Sequence, residues 1–188
     1  MGLNLRTLLH AILILFIVGL CVATGFLIKQ NRDLKAAIVG NQPEFLKPGE
    51  LVHSFAANTL SGERRMVNYA ASAKTVLLLF RPGCPACERT LPYWKEIKAV
   101  CDRNGYQIFG ISLDSSNNAS DFLKANGLNL EVFAGVDAQF KITYKLNLTP
   151  LTIVIANDGK VERIWPGALT ENSKAEVEKY FGISPDGK

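Results

Sequence analysis

An unbroken apolar stretch, Leu8–Ile28, constrains this chain before any other feature does. It holds no Asp, Glu, Lys or Arg, and its only strongly polar member is His10, near its start. A segment in a bilayer must satisfy its backbone amides internally, and roughly 20 apolar residues suffice for a helix to cross. A cleaved secretory signal has a shorter apolar core, about 7–15 residues, followed by small residues at the cut. Ala23-Thr24-Gly25 is a weak version of such a site. Acylation of Cys21 would want a small residue before it, where Leu20 stands. The reading is a short tail over 1–7, an uncleaved transmembrane anchor over 8–28, and a juxtamembrane linker over 29–47, punctuated towards its end by Pro43, with Pro48 and Gly49 just beyond it.

The flanks argue both ways about orientation. Lys29, Arg32 and Lys35 follow the apolar stretch, whereas Arg6 and the amino terminus precede it. Basic residues tend to stay in the cytoplasm, but long domains are exported largely regardless of charge. The four cysteines, Cys21, Cys84, Cys87 and Cys101, favour export through their expected chemistry, because a tethered dithiol suits an oxidising compartment.

Residues 48–188 leave about 140 residues, an ordinary size for one domain with its own core. The formal charge of +4 is spread without runs of like sign. A nucleic-acid partner, which would want a basic face with interleaved aromatics, is not expected. Thr75–Phe80 is a short apolar run bounded by turn residues, the pattern of a strand buried on both faces. Glu88–Cys101 carries Leu91, Trp94, Ile97 and Val100 at helical spacing, and Asn104-Gly105 ends it. Further strands are expected at Leu51–Leu60, Tyr106–Leu113, Asn129–Phe133, Leu151–Ala156 and Val161–Trp165. The last two form a hairpin through Asn157-Asp158-Gly159. Helices are expected at Ala119–Asn126, Asp137–Leu146 and Thr170–Phe181, the last capped by Thr170. This alternation predicts an α/β domain, a central mixed sheet flanked by helices.

Cys84-Pro85-Ala86-Cys87 falls where the buried strand ends and the helix begins. Amides and dipole at a helix N-terminus favour negative charge and lower the pKa of a cysteine there. Thiolate is the form that attacks a disulfide. Two intervening residues let the second sulfur reach the first across one turn. Cys84 is the expected exposed nucleophile and Cys87 the more buried resolving thiol. Arg81 and Arg89 flank the motif, either adding positive potential or standing as solvated surface charge. Thr149-Pro150, just before Leu151–Ala156, is the second candidate element. A proline may open a strand without further meaning. If cis, it would set the Thr149 backbone beside the dithiol, where a substrate strand could pair with it. Cys101 reads as a buried, inert thiol, Trp94 as core, and His53 as a residue on a polar face.

No cofactor and no metal is expected. A closed zinc site wants four ligands, often as two cysteine pairs; this chain has one pair and two histidines, one of them in the apolar stretch. A copper-binding, metallochaperone-type redoxin would want a histidine near the cysteines, and His53 is the sole candidate. A peroxidase of the peroxiredoxin type needs Thr three residues before its reactive cysteine, where this chain has Arg81. A redox-silent interaction domain on a membrane stalk is the remaining alternative to thiol–disulfide exchange.

Three blocks carry a resemblance: Phe80-Arg-Pro-Gly-Cys84-Pro-Ala-Cys87-Glu-Arg-Thr-Leu-Pro92, Leu148-Thr-Pro150-Leu-Thr-Ile-Val-Ile, and Asn157-Asp-Gly-Lys-Val161. Over roughly Pro48–Phe181 the chain resembles the thioredoxin superfamily, and within it the membrane-anchored TlpA/ResA-like group, with MauD-like redoxins as a close second. The resemblance implies a thioredoxin-like fold, a cis Pro150, and a single-pass protein of a bacterial inner membrane with its domain on the extracytoplasmic side. It implies reduction of protein disulfides, including apocytochrome c or copper-site cysteines, with electrons from an upstream membrane donor. Two positions depart from the pattern. Gly83 stands where the family usually has Trp, and Leu78 stands where thioredoxins bury an Asp that relays a proton to the resolving cysteine. Glu88 and Asp114 are the carboxylates weighed as substitutes, and neither is expected to serve.

Overall fold

The computed structural model describes residues 5–40 and 44–183, and the chain divides between Pro43 and Glu44 into two units. The first is one helix, α1 (Leu5–Gly40). Its stretch Ile12–Lys35 is long and apolar enough to cross a membrane, with a mean hydropathy of 2.6. Thr24 keeps its hydroxyl satisfied within the helix by donating to the Leu20 carbonyl at 2.7 Å. The helix continues past Ile28 through the juxtamembrane segment as far as Gly40. Lys29 to Val39 contains neither Gly nor Pro, so nothing local stops propagation before Gly40. Pro43 and the end of the chain after Ile183 lie outside the described residues.

The second unit begins at Glu44 and holds a seven-stranded sheet. Its strands are β1 (Phe55–Thr59), β2 (Arg64–Val67), β3 (Lys74–Phe80), β4 (Gln107–Ser112), β5 (Glu131–Ala134), β6 (Leu151–Ala156) and β7 (Val161–Pro166), in spatial order β2-β1-β5-β4-β3-β6-β7. β3 pairs in parallel with β4, and β4 with β5; every other pairing is antiparallel. The helices are α2 (Pro85–Asn104), α3 (Ser116–Asn126), α4 (Ala138–Thr143) and α5 (Glu171–Phe181). This is the thioredoxin-like α/β fold.

β3 is the spine. Val76, Leu78 and Phe80 point to one core with Trp94, Ile97 and Cys101 of α2, Phe122 of α3 and Phe181 of α5. Leu77 and Leu79 point to the other, with Ile111, Phe133, Tyr144, Ile153 and Ile155. A strand buried on both faces needs an apolar residue at every position. The run Thr75–Phe80 supplies that at all but Thr75, whose hydroxyl donates to Gln107 at 3.0 Å. On the second core, the Tyr69 and Tyr144 hydroxyls meet, and Tyr144 donates to the His53 carbonyl.

Candidate active site

The chain leaves β3 at Phe80 and turns through Arg81-Pro82-Gly83. The Cys84 amide closes the turn on the Arg81 carbonyl at 3.3 Å. Gly83 takes a φ of 72°, a left-handed conformation that a Trp, usual here in the family the sequence resembles, would adopt only under strain. Cys84 is the N-cap of α2, with extended backbone, and Pro85 opens the first turn, where its missing amide hydrogen costs nothing. Its sulfur takes the place of the Ser or Asp oxygen usual at a cap, accepting the Cys87 amide at 3.4 Å.

Antiparallel pairing of β3 with β6 sets Leu79 opposite Leu151, which brings the residues before β6 to the end of β3. The Thr149–Pro150 peptide is cis. The Cys84 thiol lies 3.9 Å from the Thr149 carbonyl, and the Thr149 hydroxyl lies 3.8 Å from the Cys84 sulfur. Pro150 accepts the Gly167 amide at 2.8 Å, so the segment after β7 backs the same loop. Trp165 packs against Tyr180 and Phe181, a core role. Cys84, Cys87, Thr149 and Pro150 are therefore brought together; Cys101, wholly buried on α2, and His53 are not part of the group. His53 is exposed and lies two residues after Leu51, which bridges Lys160 at the hairpin turn, the end of β6 away from Pro150.

The two thiols are chemically unequal. Burial alone would raise the pKa of Cys84, but hydrogen bonds from the Cys87 thiol, the Cys87 amide, the Thr149 hydroxyl and the Ala86 amide outweigh it and hold it below the ordinary thiol value. Cys87 has no exposed surface. Burial first, then its hydrogen bond to Cys84, pushes its thiol up to about 12. Cys84, half-buried, is thus the thiol that ionises first, while the fully buried Cys87 keeps its proton longer. Neither Glu88 nor Asp114 is among the groups that act on the two thiols. Glu88 is exposed, and Asp114 accepts the Ser115 amide at 2.7 Å. Leu78 is buried opposite Thr152. The buried polar pair under the site is instead Trp94 and Thr152, joined by an indole-to-hydroxyl bond of 2.9 Å. Sequence reasoning treated Trp94 as plain core and used only the backbone of Thr149. No periodicity marks a single buried Thr or a hydroxyl that turns towards a sulfur. Among the described residues no group of three or more His, Cys, Asp or Glu is placed to hold a metal ion.

Residues 48–164 match the AhpC/TSA family, which is more than half of the chain. The methylamine utilization protein MauD of Methylophilus methylotrophus is 26% identical over 171 residues, covering 90% of this chain and 76% of that protein. The thiol-disulfide oxidoreductase ResA of Geobacillus thermodenitrificans is 28% identical over 134 residues, covering 69% of this chain and 76% of that one. Among solved structures, a thiol:disulfide interchange protein DsbE from Chlorobium tepidum superimposes with a TM-score of 0.62 over 73% of this chain and 97% of that one, at 20% identity, which speaks to fold alone. The chain belongs to the AhpC/TSA family, as a thioredoxin-like redoxin of the kind that includes ResA and MauD.

Proposed function

We propose that this protein is a membrane-tethered thiol–disulfide oxidoreductase that reduces protein disulfides through Cys84 and Cys87. The observation that carries the reading is the inequality of the two thiols: a half-buried Cys84 with its pKa lowered at a helix N-terminus, and a fully buried Cys87 raised to about 12. In the forward cycle the Cys84 thiolate attacks one sulfur of a substrate disulfide. The substrate S–S bond breaks as the Cys84–substrate bond forms, and the departing sulfur takes a proton. Cys87 then gives up its proton and attacks the Cys84 sulfur. The second substrate thiol leaves, and the Cys84–Cys87 disulfide holds the oxidising equivalents. Two electrons have passed to the substrate, and an upstream membrane donor returns the pair to the dithiol.

The reductase direction is supported by what holds the Cys84 thiolate. Its donors are two amides, a thiol and a hydroxyl, none of them charged. A strongly oxidising couple needs a heavily stabilised thiolate in its reduced form, and uncharged donors such as the Cys87 amide at 3.4 Å and the Thr149 hydroxyl at 3.8 Å supply less of it than a cation would. α1 supports the tether, with the domain on the extracytoplasmic side of a bacterial inner membrane, where protein disulfides occur. The peroxidase chemistry found in the same family is disfavoured by Arg81 at the position that would need Thr.

The test is redox titration of the full chain in detergent. A reversible two-electron couple is expected nearer to about −270 mV than to about −120 mV. Cys84→Ser should abolish reduction of insulin, and Cys87→Ser should accumulate the mixed disulfide. Absence of a reversible couple, or full activity in Cys84→Ser, would sink the reading.

A further inference from the structure

The loop that delivers Thr149 and Pro150 to the dithiol starts with an unusual residue. Lys145 has a φ of 50° and is the only residue other than glycine with positive φ among those described. A side chain with a Cβ is unfavourable there, and such conformations persist where the surroundings over-determine them. The backbone conformation is set by the end of α4: the Lys145 amide bonds the Ile142 carbonyl at 3.1 Å and the Leu146 amide the Lys141 carbonyl at 2.9 Å, the left-handed stop usual after a helix. The side chain that this turn projects is held electrostatically. Lys145 Nζ lies 2.9 Å from Glu44 and 3.2 Å from both carboxylate oxygens of Glu50. Two residues on, Asn147 donates its side-chain amide to the Glu44 carbonyl at 2.6 Å.

The far side of this grip is fixed to the sheet. Gly49 and Glu50 exchange backbone bonds with Val161 at 2.8 and 2.9 Å, and Val52 donates to Gly159 at 2.8 Å. Leu46 and Leu146 are buried in the same core. The loop is therefore held at its start by backbone bonds to α4 and, through the Lys145 side chain, by Glu44 and Glu50, and at its end by β6 and by the Gly167 amide on Pro150. Thr149 lies between these fixings, and its side chain reaches Cys84. Ion pairs of this exposure contribute little to global stability. A grip that sets where a short loop lies is a different matter, because small misplacements at a reacting centre are costly in rate.

We propose that Lys145 is a positioning residue for disulfide exchange: by clamping onto Glu44 and Glu50, the residues between α1 and the first strand, it holds Thr149 and Pro150 in register with Cys84. This rests on the dithiol being the exchange site. It assigns to the segment 44–50 a role in the chemistry as well as in the connection.

The experiment compares Lys145→Met, Lys145→Arg and the double variant Glu44→Gln/Glu50→Gln with the wild type, all as full chains in detergent. Measured are kcat and KM for reduction of insulin, the pH midpoint of Cys84 alkylation, and Tm. Lys145→Met and the glutamate pair should each lower kcat/KM by about tenfold and move the alkylation midpoint upward as Thr149 drifts from the sulfur. Lys145→Arg should stay within about twofold of the wild type, and combining Lys145→Met with the glutamate pair should add nothing, as for groups that act as one unit. An unchanged alkylation midpoint, additive losses, or a kcat/KM loss seen only near Tm would overturn the clamp. A wild-type chain with no reversible couple would instead remove the reading beneath it, so the two failures are distinguishable.

Discussion

The place of Cys84 at a helix N-terminus was legible in the sequence, because that terminus is announced by the apolar run before it and the periodic helix after it. The partner of its thiolate was not, because Thr149 is 65 residues away and only the register of β3 on β6 brings it near. That partner makes a residue-scale prediction. The Thr149 hydroxyl is one of the uncharged donors that lower the Cys84 pKa. Thr149→Val keeps the β-branched shape and the carbonyl but removes the donor. With less stabilisation of the thiolate, the Cys84 pKa should rise by a fraction of a unit, and its alkylation rate at neutral pH should fall about two- to fivefold, a full unit being tenfold. Thr149→Ser should retain the wild-type rate. An unaltered rate in Thr149→Val would mean that the amides of the helix turn hold the thiolate unaided.

At the scale of elements, what was legible tracks how many faces of an element are buried. β3 and β6 are buried on both faces and read as apolar runs; β6 has the expected bounds, Leu151–Ala156. β2 was missed. Three of its four residues, Arg64, Arg65 and Met66, are exposed, so it carries no pattern and exists only through pairing with β1. The expected strand Leu51–Leu60 shrinks to Phe55–Thr59 because Leu51 is spent on an isolated bridge to Lys160 and Val52 on the Gly159 carbonyl. α2 is the element that the site hangs on. Its seat on the sheet includes the buried Trp94–Thr152 hydrogen bond, with Thr152 across the ladder from Leu78. Thr152→Val preserves volume and strands the indole N–H without an acceptor, so stability to urea should fall by about 1–3 kcal/mol. The reduction potential should move little, since neither partner is among the hydrogen-bond donors to Cys84 or Cys87. A large shift in potential with unchanged stability would give this pair a redox role that its position does not suggest.

The whole molecule joins a helix long enough to span a membrane to a domain whose core stores protonated groups. The apolar run announced the first, and Cys101 was expected as a buried, inert thiol; the tyrosines of the second core were not legible, because no periodicity marks a buried hydroxyl pair. Cys101 is wholly buried, and burial first, then the charge of Asp102, pushes its thiol up to about 12. Burial likewise pushes Tyr144 up to about 12 and raises Tyr69. An unfolded cysteine ionises near pH 8.5 and an unfolded tyrosine near 10. Below about pH 8.5 both states are protonated at Cys101, and its full contribution to stability is present. Above that the unfolded chain loses a proton that the native chain keeps, so stability must fall as pH rises, and the fall continues until the native group also titrates. In the oxidised protein, where Cys84 and Cys87 are locked together, Cys101 leads this loss between about pH 8.5 and 10, with a limiting slope of roughly 1.4 kcal/mol per pH unit; the tyrosines take over above. Urea unfolding of the oxidised domain across that window should show the decline, and Cys101→Ala should flatten it at a cost of about 1 kcal/mol at neutral pH. An equal slope in Cys101→Ala would move the source of the alkaline lability away from this thiol and towards other groups that keep their protons longer in the native state than in the unfolded one.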